Sequence, residues 1–71
     1  MELHYDPETD SLYIDLLHAP AHDSHEVRPG VVLDFDANGR LVGIDIDHAS
    51  KHAALDSLQV EALPLRQAVT E

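Results

Sequence analysis

Apolar and polar residues alternate with a period of two through most of the first 47 positions, most clearly from Val31 to Asp47. Val31, Leu33 and Phe35 alternate with Val32, Asp34 and Asp36. Val42, Ile44 and Ile46 alternate with Leu41, Gly43, Asp45 and Asp47. That period belongs to half-buried strands. Asn38-Gly39 between the two runs signals a hairpin, because a type I′ turn needs positive φ at both central residues. A two-residue loop pairs Phe35 with Val42, Leu33 with Ile44 and Val31 with Ile46. A four-residue loop, Asp36 to Gly39, is a type I turn and pairs Leu33 with Val42 and Val31 with Ile44. Both registers gather Asp34, Asp36, Asp45 and Asp47 on the face opposite the apolar residues. An odd slip brings Asp45 among the apolar side chains and is disfavoured.

The earlier stretches read the same way. Glu2 to Asp6 alternates around Leu3 and Tyr5, and Asp6-Pro7-Glu8-Thr9-Asp10 is a turn. Ser11 to Leu17 is a second strand with Leu12, Ile14 and Leu16 on one side. Pro20 breaks pairing in the loop from His18 to Asp23. Ser24 to Arg28 reads as an edge strand with Val27 turned inward, and Pro29-Gly30 leads into the fourth strand. Gly43 inside a strand marks a bulge or a close approach, with Tyr13 stacked above it. Five short strands predict an antiparallel meander over residues 1–47.

The alternation stops at Asp47. Ala and Leu content predicts a helix over 48–58, capped by Asp47 or Ser50 and anchored by Leu55 and Leu58. Residues 59–71 form a variable C-terminal segment: 60–63 suits a last helical turn or an added strand, and the end frays. The expected class is α+β. Its core is Leu3, Tyr5, Leu12, Ile14, Leu16, Val27, Val31, Leu33, Phe35, Val42, Ile44 and Ile46, closed by Leu55 and Leu58.

Length sharpens this picture. Seventy-one residues make one small domain with a marginal core, and the absence of Cys excludes disulfides and thiolate zinc sites. One sheet and one short helix leave apolar area uncovered. A homodimer is therefore expected, through the second face or an edge strand. The net charge is −10, and Arg28, Arg40, Lys51 and Arg66 are the only basic residues besides His. That balance opposes binding to nucleic acid or to an anionic membrane, both of which need basic patches. No stretch approaches the ~20 apolar residues of a membrane span. With no basic, apolar leader at the N-terminus, a cytoplasmic location is expected.

Three ordered motifs carry a resemblance. Tyr5-Asp6-Pro7-Glu8-Thr9-Asp10-Ser11-Leu12-Tyr13-Ile14 is the first. Glu26-Val27-Arg28-Pro29-Gly30-Val31-Val32-Leu33-Asp34-Phe35-Asp36 is the second. Gly39-Arg40-Leu41-Val42-Gly43-Ile44-Asp45-Ile46 with Ala49-Ser50-Lys51 closes the set. Together they resemble a widespread family of small prokaryotic proteins catalogued only as a domain of unknown function. The similarity covers roughly residues 1–51. It implies a small antiparallel sheet with a C-terminal helix and carries over no activity, cofactor or site.

Three groups of residues offer chemistry. His18, His22 and His25, with Asp23, lie in or beside the Pro20 loop, and imidazole with carboxylate suits zinc, nickel or copper. His48, His52 and Asp56 share one side of the predicted helix at i, i+4 and i+8, as a two-ligand clip. Asp34, Asp36, Asp45 and Asp47 make an acidic face, alongside Val32, Leu41, Tyr13 and Leu17. No nucleophile pairs with a base in a recognisable context, and no Gly-rich phosphate loop is present. The expectation is a non-enzymatic interaction module without cofactor, whose acidic face meets a basic protein, as an antidote-type protein meets a small basic toxin. The alternative is a His-based protein binding a divalent metal.

Overall fold

The computed structural model describes residues 1–64. Five strands form one antiparallel sheet: β1 (Glu2–Asp6), β2 (Ser11–Asp15), β3 (Asp23–Arg28), β4 (Val31–Phe35) and β5 (Leu41–Ile46). Their order is β1-β2-β5-β4-β3. The expected meander is therefore corrected. β2 pairs with β5, placing Leu12 opposite Ile46 and Ile14 opposite Ile44. β3, β4 and β5 are consecutive hairpin partners and β2 returns beside β5, which is a Greek key with β1 added by a hairpin. The composition of the strands explains the choice. β2, β5 and β4 carry most of the branched apolar residues and take the centre. β1 and β3, rich in Glu, Asp and His, take the edges, where charge discourages further pairing.

The α+β class is also corrected: no α-helix occurs among the described residues. Where 48–58 was expected to be helical there is one 3-10 turn, Ala49–Lys51. His48 precedes it in the left-handed region at φ 51°, so neither Asp47 nor Ser50 caps a helix. The turn is held instead by Asp10. The Asp10 carbonyl accepts from Ala49 N at 2.8 Å, and its carboxylate accepts from Ser50 N at 3.1 Å and Ser50 Oγ at 2.7 Å. A helix of about eleven residues is marginal unless a stripe is buried. Leu55 and Leu58, its intended anchors, are 39% and 75% exposed. Val60 and Leu63 are exposed as well. The expected variable segment 59–71 falls partly outside the described residues.

The central hairpin combines features of both expected loops. Gly39 N donates to the Asp36 carbonyl at 3.0 Å and Asp36 N to the Arg40 carbonyl at 2.9 Å. Gly39 has φ +81° while Asn38 is not in the positive-φ region, so the turn is not type I′. It is the four-residue turn. Yet Val31 still faces Ile46 and Leu33 faces Ile44, the pairing of the two-residue loop. A bulge reconciles them: the register shifts between Asp34, opposite Gly43, and Phe35, opposite Leu41.

Burial does not follow the alternation of the sequence. All five residues of β4 are half-buried, apolar and acidic alike. A layer on one side would bury Val31, Leu33 and Phe35 and leave Val32 and Asp34 wet. Only Leu12, Val42 and Ala49 are buried apolar residues among those described. Leu3, Tyr5 and Val27, expected in the core, are about half exposed. Among the described residues the protein is one sheet with an apolar face, where Leu12 and Val42 are buried, and an acidic face.

Candidate functional site

The acidic face is built by strand pairing. Tyr13 stands opposite Asp45, which stands opposite Val32, which stands opposite Glu26. The next row is Asp15, Gly43, Asp34 and Ser24. Because side chains on neighbouring strands in register share a face, these eight lie together. None of them is Lys or Arg.

Tyr13 organises the middle of this face. Its ring lies over Gly43, where a Cβ would fall 2.0 Å from the Tyr13 hydroxyl and 2.5 Å from Cζ. Only glycine admits the ring in that position. The hydroxyl then reaches Asp34 and donates to Oδ2 at 3.3 Å, while Ser24 Oγ donates to Asp34 Oδ1 at 2.7 Å. Burial pushes the Tyr13 hydroxyl up from its ordinary pKa, and the nearby Asp34 charge adds to it. Asp45, beside the ring, is also pushed up. Partial burial is the main cause, and repulsion from Asp47 and Asp34 reinforces it. Three carboxylates thus crowd one region without a Lys or Arg among the paired positions.

Asp36 does not belong to this group. It sits in the hairpin turn, only 9% exposed, where its carboxylate accepts from Asn38 N, Arg40 N and Arg40 Nε at 2.8–2.9 Å. The amide of Arg40, more than its guanidinium, holds the carboxyl below its ordinary pKa. Of the four expected aspartates, Asp34 and Asp45 share the face, Asp47 flanks it as an exposed residue after β5, and Asp36 serves the turn. Tyr13 was expected beside this face, and the β2–β5 pairing brings it there. Ser24 and Glu26 were not named with it; the β3–β4 register places them opposite Asp34 and Val32.

The histidines are separated by the topology. His18 leaves β2 on the β1 side, with its ring against the Glu2 carboxylate and 3.4 Å from Asp15. His25 is on edge strand β3, where it meets Asp23 at 3.0 Å and stacks edge-on against Phe35 with ring centroids 5.6 Å apart. His22 borders a shallow depression with Asp23, His25 and Phe35. His48 precedes the 3-10 turn and His52 ends it, so they do not form an i, i+4 pair on a helix with Asp56. Among the described residues no three His, Asp or Glu are grouped so as to hold a metal ion.

Among the described residues no helix is long and apolar enough to cross a membrane. No curated protein matches the chain. No solved structure matches it either. One family does, over residues 2–50, which spans the whole sheet and the Asp10–Ser50 contact. The chain belongs to that family, described as a protein of unknown function (DUF2283).

Proposed function

We propose that the protein is a cytoplasmic, non-enzymatic interaction module whose acidic face receives a basic protein. The observation that carries this reading is the composition of that face. Asp34 and Asp45, with Glu26 and Asp15 on the same face and Asp47 beside it, surround half-buried Tyr13 and Val32, and no Lys or Arg occupies a paired position there, His4 opposite Tyr13 being the one imidazole. A face kept only for solubility needs no aromatic ring at its centre. A face for a partner gains area from Tyr13 and Val32 and orientation from the carboxylates. An antidote-type role toward a small basic toxin fits this size and charge.

The test is affinity capture from host extract with the chain and with its Asp45→Lys, Asp47→Lys variant, both checked for fold by circular dichroism. The reading expects a basic protein retained by the parent chain, released as salt is raised and lost with the variant. Equal capture by both forms removes the acidic face from the interaction.

A further inference from the structure

The other face of the same sheet is only partly covered by the described residues: Leu12 and Val42 are buried there, while Ile14, Val31, Leu33, Ile44 and Ile46 stay partly exposed. Leu12, Ile14, Val31, Leu33, Ile44 and Ile46 line its three central strands, flanked by Leu3 and Tyr5 on β1 and Phe35 at the end of β4. Among the described residues after the 3-10 turn, Leu55, Leu58, Val60 and Leu63 remain 39%, 75%, 47% and 48% exposed and do not seal it. We infer that the apolar face is covered by a second copy of this chain, packed face to face as a two-layer sandwich.

Three observations select this occupant and this face. The first is charge. Each chain carries −10, so any self-association must avoid bringing carboxylates together. The three central strands of the apolar face present no charged residue and its β3 rim adds Asp23, bridged to His25, whereas the opposite face presents Asp15, Glu26, Asp34 and Asp45. The second is the state of the edges. β1 offers Glu2, His4 and Asp6. β3 offers Asp23, His25 and Glu26, and carries a bulge between Glu26 and Arg28. Charge and bulges are the devices by which sheets resist edge-to-edge pairing. The expected dimer, placed on the second face or an edge, therefore moves to the apolar face. The third is area. Five strands ~4.8 Å apart and five residues long present roughly 400 Å² in plan. With the relief of about ten partly exposed side chains, two copies bury about 1,200 Å², the lower bound of specific interfaces. The face is just large enough for a copy of itself and, being flat, matches one in shape.

The experiment joins sedimentation with methyl NMR on the unaltered chain. Sedimentation at micromolar concentration is expected to give twice 7.8 kDa. A soluble paramagnetic agent is expected to bleach the methyls of Val32 while sparing those of Ile14, Leu33 and Ile44. Leu33→Lys is expected to weaken the dimer by about 30-fold or more, as loss of a central anchor does. Val32→Lys, the next residue on the opposite face, leaves it intact. A monomer overturns the inference, even with shielded Leu33 and Ile44 methyls, because the chain's own C-terminal residues are then the cover. A dimer with those methyls bleached overturns it too, because a different surface then makes the contact. Both wild-type readings stand even if Leu33→Lys fails to fold.

Discussion

Gly43→Ala carries a sign that depends on one neighbour, and that makes it a sharp test of the acidic face. Replacing glycine by alanine within a strand ordinarily stabilises by about 0.5–1 kcal/mol, because the unfolded chain loses freedom. Here the new methyl falls 2.0 Å from the Tyr13 hydroxyl, so the ring must swing off. Leaving Gly43 returns about 50 Å² of ring face to water, roughly 1 kcal/mol at the usual coefficient. It also breaks the Tyr13–Asp34 hydrogen bond, which is long at 3.3 Å and contributes about 0.5 kcal/mol. The losses exceed the gain, so Gly43→Ala is expected to destabilise by about 0.5–1 kcal/mol. In a Tyr13→Ala background there is no ring to displace. The same substitution should then stabilise by about 0.5–1 kcal/mol. The coupling between the two sites is about 1.5 kcal/mol, at the middle of the range for contacting residues. Urea unfolding of the four proteins at one concentration, followed by circular dichroism, measures it. If Gly43→Ala shifts the midpoint in the same direction in both backgrounds, Tyr13 does not rest on Gly43 and the account of this face fails.

Other expectations follow from the hydrogen bonds. Ser50→Ala removes the Oγ donor to Asp10 and leaves the Ser50 N–H in place; it should cost about 1 kcal/mol, read as a lower melting temperature, and no change would mean the 3-10 turn is not held by that hydroxyl. The Ser50 hydrogen bonds, more than that of Tyr5, keep the Asp10 carboxyl below its ordinary pKa. A lowered folded-state pKa adds stability that is present above the unfolded value and lost as pH falls through the folded one. Asp10→Asn should therefore flatten the acid limb of a stability-against-pH curve, and an unaltered limb would refute the role. Asp45 has the opposite sign: its pKa is raised, so the charged form is the strained one. Asp45→Asn should leave stability at neutral pH unchanged or higher by a few tenths of a kcal/mol, the discounted scale of a charge still partly in solvent, and a clear loss would refute the crowding. In the hairpin, Asn38→Ala should stay within about 0.5 kcal/mol of the parent, whereas Gly39→Ala, at φ +81°, should cost about 1 kcal/mol. Equal losses in thermal melts would restore the type I′ turn.

Which residues of the central hairpin share a face was readable, because an odd slip would have put Asp45 among Ile44 and Ile46; the sequence admits both even registers, and the bulge settles between them. The Tyr13–Gly43 contact was readable because an unexplained strand glycine needs a visitor. What failed was non-local. Nothing in residues 16–22 says which strand β3 will join, and a meander and a Greek key have the same local pattern. The deciding fact is competition for the sheet centre, in which charged β3 loses to β5. Asp36 was misplaced for a related reason. Counting alternation through Leu41-Val42 assumes an unbroken ladder, and the bulge there detaches the turn from the face. The helix over 48–58 rested on intrinsic propensity, which is weak beside tertiary bonds. Asp10, forty residues away, captures Ala49 and Ser50 before a second helical turn can form.

That capture also bears on how the protein works. The family match ends at residue 50, where the Asp10–Ser50 contact closes the sheet. The matched residues therefore coincide with the sheet and its closing contact in this chain. In a strand, neighbouring residues point to opposite faces, so the two surfaces can be changed independently. Val32→Lys and Leu33→Lys differ by one position in β4 yet test different partners. The proposals for the two faces also reinforce each other. A pair closed through the apolar faces turns both acidic faces outward, on opposite sides of the sandwich. Such a pair is bivalent, and a basic partner with two or more copies in reach binds it with avidity exceeding either single contact. Disrupting the apolar interface should then weaken capture of an oligomeric basic partner while leaving the single-site affinity of the acidic face unchanged. That separation is testable by comparing Leu33→Lys with the parent chain against monomeric and oligomeric forms of the same partner.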